Sequence, residues 1–160
     1  MTEWNSGEQA ERFVKTYAGA ILRLCLTYSL SREDAQDICQ DIFLKLLVEE
    51  RQFNDLEHEK AFILRAAVNA CKDQLKSARR RREAPLEEAQ ALHSVQGEDS
   101  GLLEAIGRLP AHYGAVVYLF YYEGYSLEEI AQICGCTPAT ARKRLSRARK
   151  LLAKGLEVAL

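Results

Sequence analysis

The chain has 160 residues, of which 48% are hydrophobic and 28% charged, and its formal net charge is −1. This hydrophobic content excludes a globally disordered protein, and the length allows one domain or two small ones. A net charge near zero, taken alone, argues against a nucleic-acid binder. The charge is unevenly distributed, however: residues 72–82 and 142–154 are rich in Lys and Arg, and residues 83–104 contain acids but neither base. Two basic patches separated by an acidic segment dominate the local potential.

The N-terminal segment MTEWNSGEQAERF is polar and acidic, so we expect neither a signal peptide nor a membrane anchor. We therefore expect a cytoplasmic protein with free thiols at Cys25, Cys39, Cys71, Cys134 and Cys136. The last two are the only close pair, but one intervening residue is not the usual zinc spacing, and no second pair completes four ligands. We expect no metal and no cofactor, with oxidant sensing by this pair as the alternative.

Helical periodicity runs along the whole chain, which predicts an all-α fold. The first helix is expected from about Gln9 to Tyr28, and a capping signal at Ser31 opens a second helix that ends near Glu50. After a polar loop over residues 51–57, with Asn54 or Asp55 as the cap, a long helix runs from about His58 to Arg82. Three such helices enclose one small core. The apolar positions predicted to face it are Phe13, Tyr17, Ile21, Leu24, Tyr28, Ala35, Ile38, Ile42, Phe43, Leu46, Phe62, Ala66, Val68 or Ala70, and Leu75.

The segment from Pro85 to Ser100 contains Pro, Gly, Ser and acids with little periodicity, which is typical of a linker. We therefore predict a helical domain over residues 1–82, a flexible acidic linker over 83–100 and a second helical domain over 101–160. In the second domain, Leu109-Pro110 interrupts the helical pattern, and an apolar helix from Ala111 to Tyr122 follows.

Residues 126–152 have the layout of a helix-turn-helix. Ser126 and Glu129 form a capping box for a short helix, and Gly135 tolerates the positive φ of a sharp turn. Thr137 caps the next helix, whose first position suits Pro138. One stripe of that helix is apolar and the rest is basic, which is what a DNA major groove admits. The apolar stripe consists of Ala141, Leu145, Ala148 and Leu152.

Three stretches, in the right order, resemble bacterial sigma factors of the extracytoplasmic-function group. Residues 34–46, DAQDICQDIFLKL, are similar to the family's acid-rich region 2.2. Asn69 and Asp73 stand where regions 2.3 and 2.4 place an N-x-x-x-D pair. Leu109-Pro110, the sequence EGYS at 123–126 and the helix-turn-helix resemble region 4.

The resemblance implies that the chain binds core RNA polymerase and promoter DNA. The exposed face of the helix from Asp34 would contact the clamp helices of the largest polymerase subunit, and the C-terminal domain would dock on the polymerase flap. The residues that this resemblance assigns to the clamp contact are Asp37, Gln40, Asp41, Leu44 and Lys45.

The resemblance also assigns two promoter elements. The melted −10 element would meet a group of loop and helix residues in which Phe53 and Asn54 capture a flipped base: Phe53, Asn54, Asn69, Asp73, Lys76, Arg79 and Arg80. Phe62 stands where the family often has Trp. The duplex −35 element would meet the N-terminal half of the last helix, through Thr137, Thr140, Arg142, Lys143, Arg144 and Arg147.

No catalytic constellation accompanies these motifs, so we do not expect an enzyme. His58-Glu59 begins like a zinc-protease motif, but Phe62 occupies the place of the second His. Two alternatives to a sigma factor remain: a dimeric helix-turn-helix regulator, and a helical adaptor or anti-sigma protein that binds no DNA. Members of the group are often held inactive by an anti-sigma factor, and the sequence names no particular one.

Overall fold

The computed structural model describes the backbone of residues 4–81 and 100–159, and these residues form helices and loops without a strand. The predicted all-α fold is therefore confirmed. The segment predicted to be an acidic linker lies almost entirely outside the described residues. No helix in the described ranges is long and apolar enough to cross a membrane. The helices are α1 (Ser6–Thr27), α2 (Arg32–Glu49), α3 (Leu56–Arg81), α4 (Ser100–Gly107), α5 (Ala111–Val117), α6 (Leu127–Cys134) and α7 (Pro138–Ala159).

Side-chain caps determine where the N-terminal helices begin. Asn5 accepts a hydrogen bond from the backbone N–H of Glu8, so α1 begins about one turn earlier than its apolar periodicity indicated. Ser31 caps α2 as predicted. Of the two candidates for α3, the structure selects Asp55, whose carboxylate accepts from the backbone N–H of His58 at 2.7 Å.

The core-facing positions predicted for α1 and α2 are all buried, but the stripe predicted for α3 was partly wrong. Phe62, Ala66 and Leu75 are only partly buried, whereas the neighbouring faces of α3 carry its fully buried residues. The reason is that α3 packs against α1 and α2 on one side and against α6 on another, so no single stripe describes it. The fully buried residues of α3 are Ile63, Leu64, Ala67, Val68 and Cys71.

The helix-turn-helix is built as its local signals predict. Ser126 and Glu129 make both bonds of the capping box, and Gly135 takes the left-handed conformation with φ +69°. The hydroxyl of Thr137 accepts from the backbone N–H of Thr140 at 3.1 Å, which caps α7. The apolar helix predicted from Ala111 to Tyr122 divides into α5 and a wide π-helical turn over Tyr118–Tyr122.

The N-terminal and C-terminal helices share one continuous core in the described part of the chain. At their boundary, Gly114 of α5 lies so close to α1 that a Cβ there would stand 3.3 Å from the carbonyl oxygen of Thr27 and 3.1 Å from that of Ile106. A larger side chain would separate the helices, so this glycine is needed for close approach. Polar contacts add to the packing: Arg23 Nε donates to the Tyr118 hydroxyl at 3.1 Å.

Candidate nucleic-acid and partner interfaces

The outer face of α2 combines acids with exposed apolar side chains. The polar residues expected there (Asp37, Gln40, Asp41 and Lys45) are all exposed, and Leu44 is 62% exposed. Sequence reasoning missed Val48, one helical turn beyond Leu44, which is 75% exposed. Its spacing from Leu44 was the signal that could have found it. Two adjacent large apolar side chains on a solvent-facing helix mark a surface suited to a protein partner.

The exposed face of α3 carries the residues expected to meet single-stranded DNA. Asn69, Asp73 and Lys76 are exposed at steps of four and three, so they share one side of the helix. Arg79 and Arg80 continue the helix, and their side chains lie outside the described part of the structure. An amide, a carboxylate and a cation side by side offer donors and acceptors to base edges, together with charge for a phosphate.

Lys72, a neighbouring cation on α3, is hydrogen-bonded to the helix-turn-helix. Lys72 donates from Nζ to the carbonyl oxygen of Cys134, the last residue of α6, and so satisfies an acceptor at the negative end of that helix. The turn at Gly135 lies beside this ammonium group, since a Cβ built there would lie 3.7 Å from Nζ. In this arrangement the turn of the helix-turn-helix rests against α3 at Lys72.

The loop before α3 forms an aromatic platform. Phe53 is half-buried, with its ring centroid 5.2 Å from that of Phe62, and the guanidinium of Arg51 lies 4.2 Å from the Phe62 centroid. Asn54 is exposed beside it. Aromatic rings, a guanidinium plane and a free amide are groups that bind unpaired bases. The loop borders a cavity of about 500 Å³ together with the N-terminal part of α1.

A buried ionic network supports this cavity from below. Glu59, which is 5% exposed, accepts two hydrogen bonds from Arg12, at 2.6 and 2.9 Å, and one from the Tyr17 hydroxyl at 2.5 Å. Burial by itself would raise the pKa of Glu59, but the hydrogen bonds from Arg12 and Tyr17 prevail and hold this pKa below its usual value. The network joins α1 to the first turn of α3, and sequence reasoning did not identify it.

The N-terminal half of α7 presents the expected cationic surface. Thr137, Arg142, Lys143 and Arg147 are exposed, while Thr140 and Arg144 are half-buried. The Thr140 hydroxyl accepts from that of Thr137 at 2.9 Å, so both hydroxyl groups are engaged at the cap. Farther along α7, the guanidinium of Arg149 donates to the Tyr121 hydroxyl at 2.7 Å. This bond directs Arg149 toward the π-helical turn.

The thiols lie mostly in the core. Cys25 and Cys71 are buried with their Sγ atoms 3.6 Å apart. Burial raises the pKa of the Cys134 thiol to about 11, which keeps it protonated near neutral pH, and only Cys136 of this close pair reaches the surface in part. Within the described ranges, no three His, Cys, Asp or Glu residues converge as metal ligands.

Comparison with known protein families matches both parts of the chain. The family described as Sigma-70 region 2 matches residues 13–81, and the family described as Sigma-70, region 4 matches residues 100–152. The matched ranges contain the exposed faces of α2 and α3 and the helix-turn-helix, respectively.

Individual proteins show the same relationship. The RNA polymerase sigma factor SigV of Bacillus subtilis is 31% identical over 133 residues, which cover 81% of this chain and 80% of that protein. The ECF RNA polymerase sigma factor SigM of Mycobacterium tuberculosis is 32% identical over 135 residues, with coverage of 82% and 69%. The sigma factor RpoE of Bartonella quintana, solved with the anti-sigma factor NepR, has a similar fold, with a TM-score of 0.69 at 22% identity over 92% of this chain and 96% of that chain. The chain belongs to the sigma-70 family, as a sigma factor of the extracytoplasmic-function group that binds core RNA polymerase and directs it to promoters.

Proposed function

We propose that the exposed face of α2 is the surface that binds the clamp helices of the largest polymerase subunit. The observation that supports this is the pair Leu44 and Val48, which lie exposed on α2 one and two turns beyond the exposed acid Asp41. Apolar side chains at the centre of a patch with charges at its rim are the usual composition of a protein interface. Gln40 and Lys45 complete this rim.

We further propose that α3 and the loop before it bind the melted −10 element. Asn69, Asp73 and Lys76 supply contacts to base edges and phosphates, joined by Arg79 and Arg80 farther along the helix. Phe53 and Asn54 hold one base outside the stack. Support comes from the cluster of Arg51, Phe53 and Phe62 side chains beside an open cavity. Phe62 takes the place at which the family often has Trp, so this helix has a smaller aromatic side chain for strand opening.

The −35 duplex is assigned to α7, with Thr137, Thr140, Arg142, Lys143, Arg144 and Arg147 on the groove side. Replacing both Arg142 and Lys143 with Ala should reduce duplex affinity, since each base contact of this kind is worth roughly 1–3 kcal/mol. We assign docking on the polymerase flap to the same domain. The protein acts in the cytoplasm without an enzymatic activity of its own.

An anti-sigma factor is a further expected partner. The solved structures with a similar fold include the sigma factor RpoE with the anti-sigma factor NepR, and CnrH with the cytosolic domain of CnrY. We propose that this chain is likewise bound by a protein antagonist when inactive.

The decisive experiment mixes the purified protein with bacterial core RNA polymerase and a pool of genomic fragments that includes the DNA upstream of its own gene. We expect a stable complex and transcripts that appear only when the protein is present, with start sites that reveal the promoter. Asp substitutions at Leu44 and Val48 should abolish the complex, whereas Val14→Asp, on an exposed site of α1, should leave it intact. If both variants bind polymerase equally, the α2 assignment is wrong.

A further inference from the structure

The N-terminal part of α1 forms one wall of the cavity beside the loop. Gln9 of α1 and Trp4, just before this helix, line it opposite Arg51, Phe53 and Asn54 of the loop. Its volume of about 500 Å³ lies within the range of roughly 300–1,000 Å³ that is typical of small-molecule sites, and exceeds the size of one nucleobase. The wall from α1 had no role in the sequence-based assignment.

The orientation of the Gln9 side-chain amide is determined by its neighbour. Arg12 donates to Gln9 Oε1 from Nε at 3.0 Å and from Nη2 at 2.8 Å. Because a guanidinium has donors only, the amide must turn its oxygen toward Arg12. The end left for a ligand in the cavity is therefore the NH₂ group, which donates.

The carboxylate of Glu59, which also contacts Arg12, already accepts hydrogen bonds within the protein. Both carboxylate oxygens of Glu59 accept from Arg12, and one of them also accepts from Tyr17. Glu59 thus holds Arg12 in place, and Arg12 holds Gln9. These charge-assisted bonds hold the NH₂ group of Gln9 as a neutral donor at the cavity wall, which the amides of Gln52 and Asn54 also line.

We propose that Gln9 is a base-specificity residue, whose NH₂ group donates to the carbonyl oxygen of an unpaired base held against the loop. Thymine, cytosine and guanine carry such an oxygen and adenine does not, so the site disfavours adenine. Arg51 and Phe53 supply the planar surfaces for stacking. This inference rests on the proposed function, in which the loop captures one base of the melted strand.

The test uses the isosteric substitution Gln9→Glu in the full chain bound to core RNA polymerase. A carboxylate still accepts both bonds from Arg12, so the network persists, but it offers the cavity an acceptor in place of a donor. The probe is the promoter recovered in the transcription assay, with each melted position changed in turn to all four bases.

We expect the wild-type protein to disfavour adenine at one melted position. At that position, Gln9→Glu should shift the preference away from thymine and toward the bases with an exocyclic amino group (adenine, cytosine and guanine) by about fivefold to tenfold, the effect of one hydrogen bond. Gln9→Met should abolish the preference without reversing it. Gln36→Glu, an equal change of charge at an exposed site on α2, should leave base preference unchanged at every position.

The outcomes separate this inference from the proposed function. If the wild-type protein supports no promoter-specific transcript, the proposed function fails. If it does, but Gln9→Glu weakens all promoter variants equally or changes nothing, Gln9 has no part in base selection. A position that responds to Gln9→Glu but at which the wild-type protein prefers adenine would also overturn the inference.

Discussion

The packing of the helix-turn-helix against α3 leads to a prediction about Lys60. This α3 side chain donates to Glu123, beyond the π-helical turn, at 2.8 Å, and Glu123 in turn accepts from the Tyr118 hydroxyl at 2.7 Å. The Glu123 side chain is 9% exposed and that of Lys60 35% exposed. Lys60→Met removes one of the bonds between the N-terminal and C-terminal helices but keeps the Glu123–Tyr118 bond within the C-terminal region.

The size of the effect follows from these exposures. A hydrogen bond to a charged group contributes about 1.5–3 kcal/mol when buried, and the partial exposure of Lys60 reduces this to about 1 kcal/mol. The packed arrangement occupies Lys72 with the carbonyl of Cys134, so we expect it to compete with DNA for α3. If most molecules have the helix-turn-helix packed on α3, destabilising this packing by about 1 kcal/mol raises the fraction of molecules in which it has separated from α3 roughly fivefold. Apparent DNA affinity then rises by the same factor.

The assay is equilibrium binding of the free protein to the promoter fragment recovered with polymerase, together with small-angle X-ray scattering. A compact 160-residue chain has a radius of gyration of roughly 15 Å, and Lys60→Met should increase it. Lys15→Met is the matched control, because Lys15 pairs only with Glu11 on the surface of α1. Loss of a positive charge by itself weakens DNA binding. Tighter binding by Lys60→Met therefore cannot result from the change of charge. Equal affinities and equal radii for the two variants would refute the reasoning.

Three predictions concern stability. Glu59→Gln should lower the free energy of unfolding by roughly 1–3 kcal/mol at pH 7, because Arg12 loses a buried charged partner. The pKa of Glu59 is lowered in the folded state, so its ionised carboxylate stabilises the fold at a pH above the pKa that it has in the unfolded chain. This stabilisation is lost as the pH falls through the lower pKa of the folded state. Denaturant titrations between pH 7 and 3 should show this loss for the wild type and less of it for Glu59→Gln. Gly135→Ala should cost about 1–2 kcal/mol because of its positive φ, and an unchanged melting temperature would contradict the conformational argument. Ser126→Ala should cost about 1 kcal/mol by removing the capping box, measured by thermal unfolding against an exposed serine such as Ser146→Ala.

Local chemistry made the helices predictable. The caps at Ser31, Ser126 and Thr137 and the turn at Gly135 depend on residues at most four positions apart, so their signals are complete in the sequence. The same holds for the apolar stripes of α1 and α2, each of which faces one core. The exposed residues of α2 followed directly from those stripes, because a helix with one buried side leaves the other free.

Contacts between distant residues were not predictable in this way. The second buried side of α3 depends on α6, which lies more than 45 residues away, and the bonds from Arg12 and Tyr17 to Glu59 span 47 and 42 residues. Such pairs have no periodic or spacing signal, because they arise only when helices pack. The sequence by itself determined which segments are helical, the caps at Ser31, Ser126 and Thr137, and the cationic face of α7. The tertiary structure alone decided that the helix-turn-helix rests on α3 and that Gln9 turns a donor toward the cavity, because both depend on side chains that packing brings together.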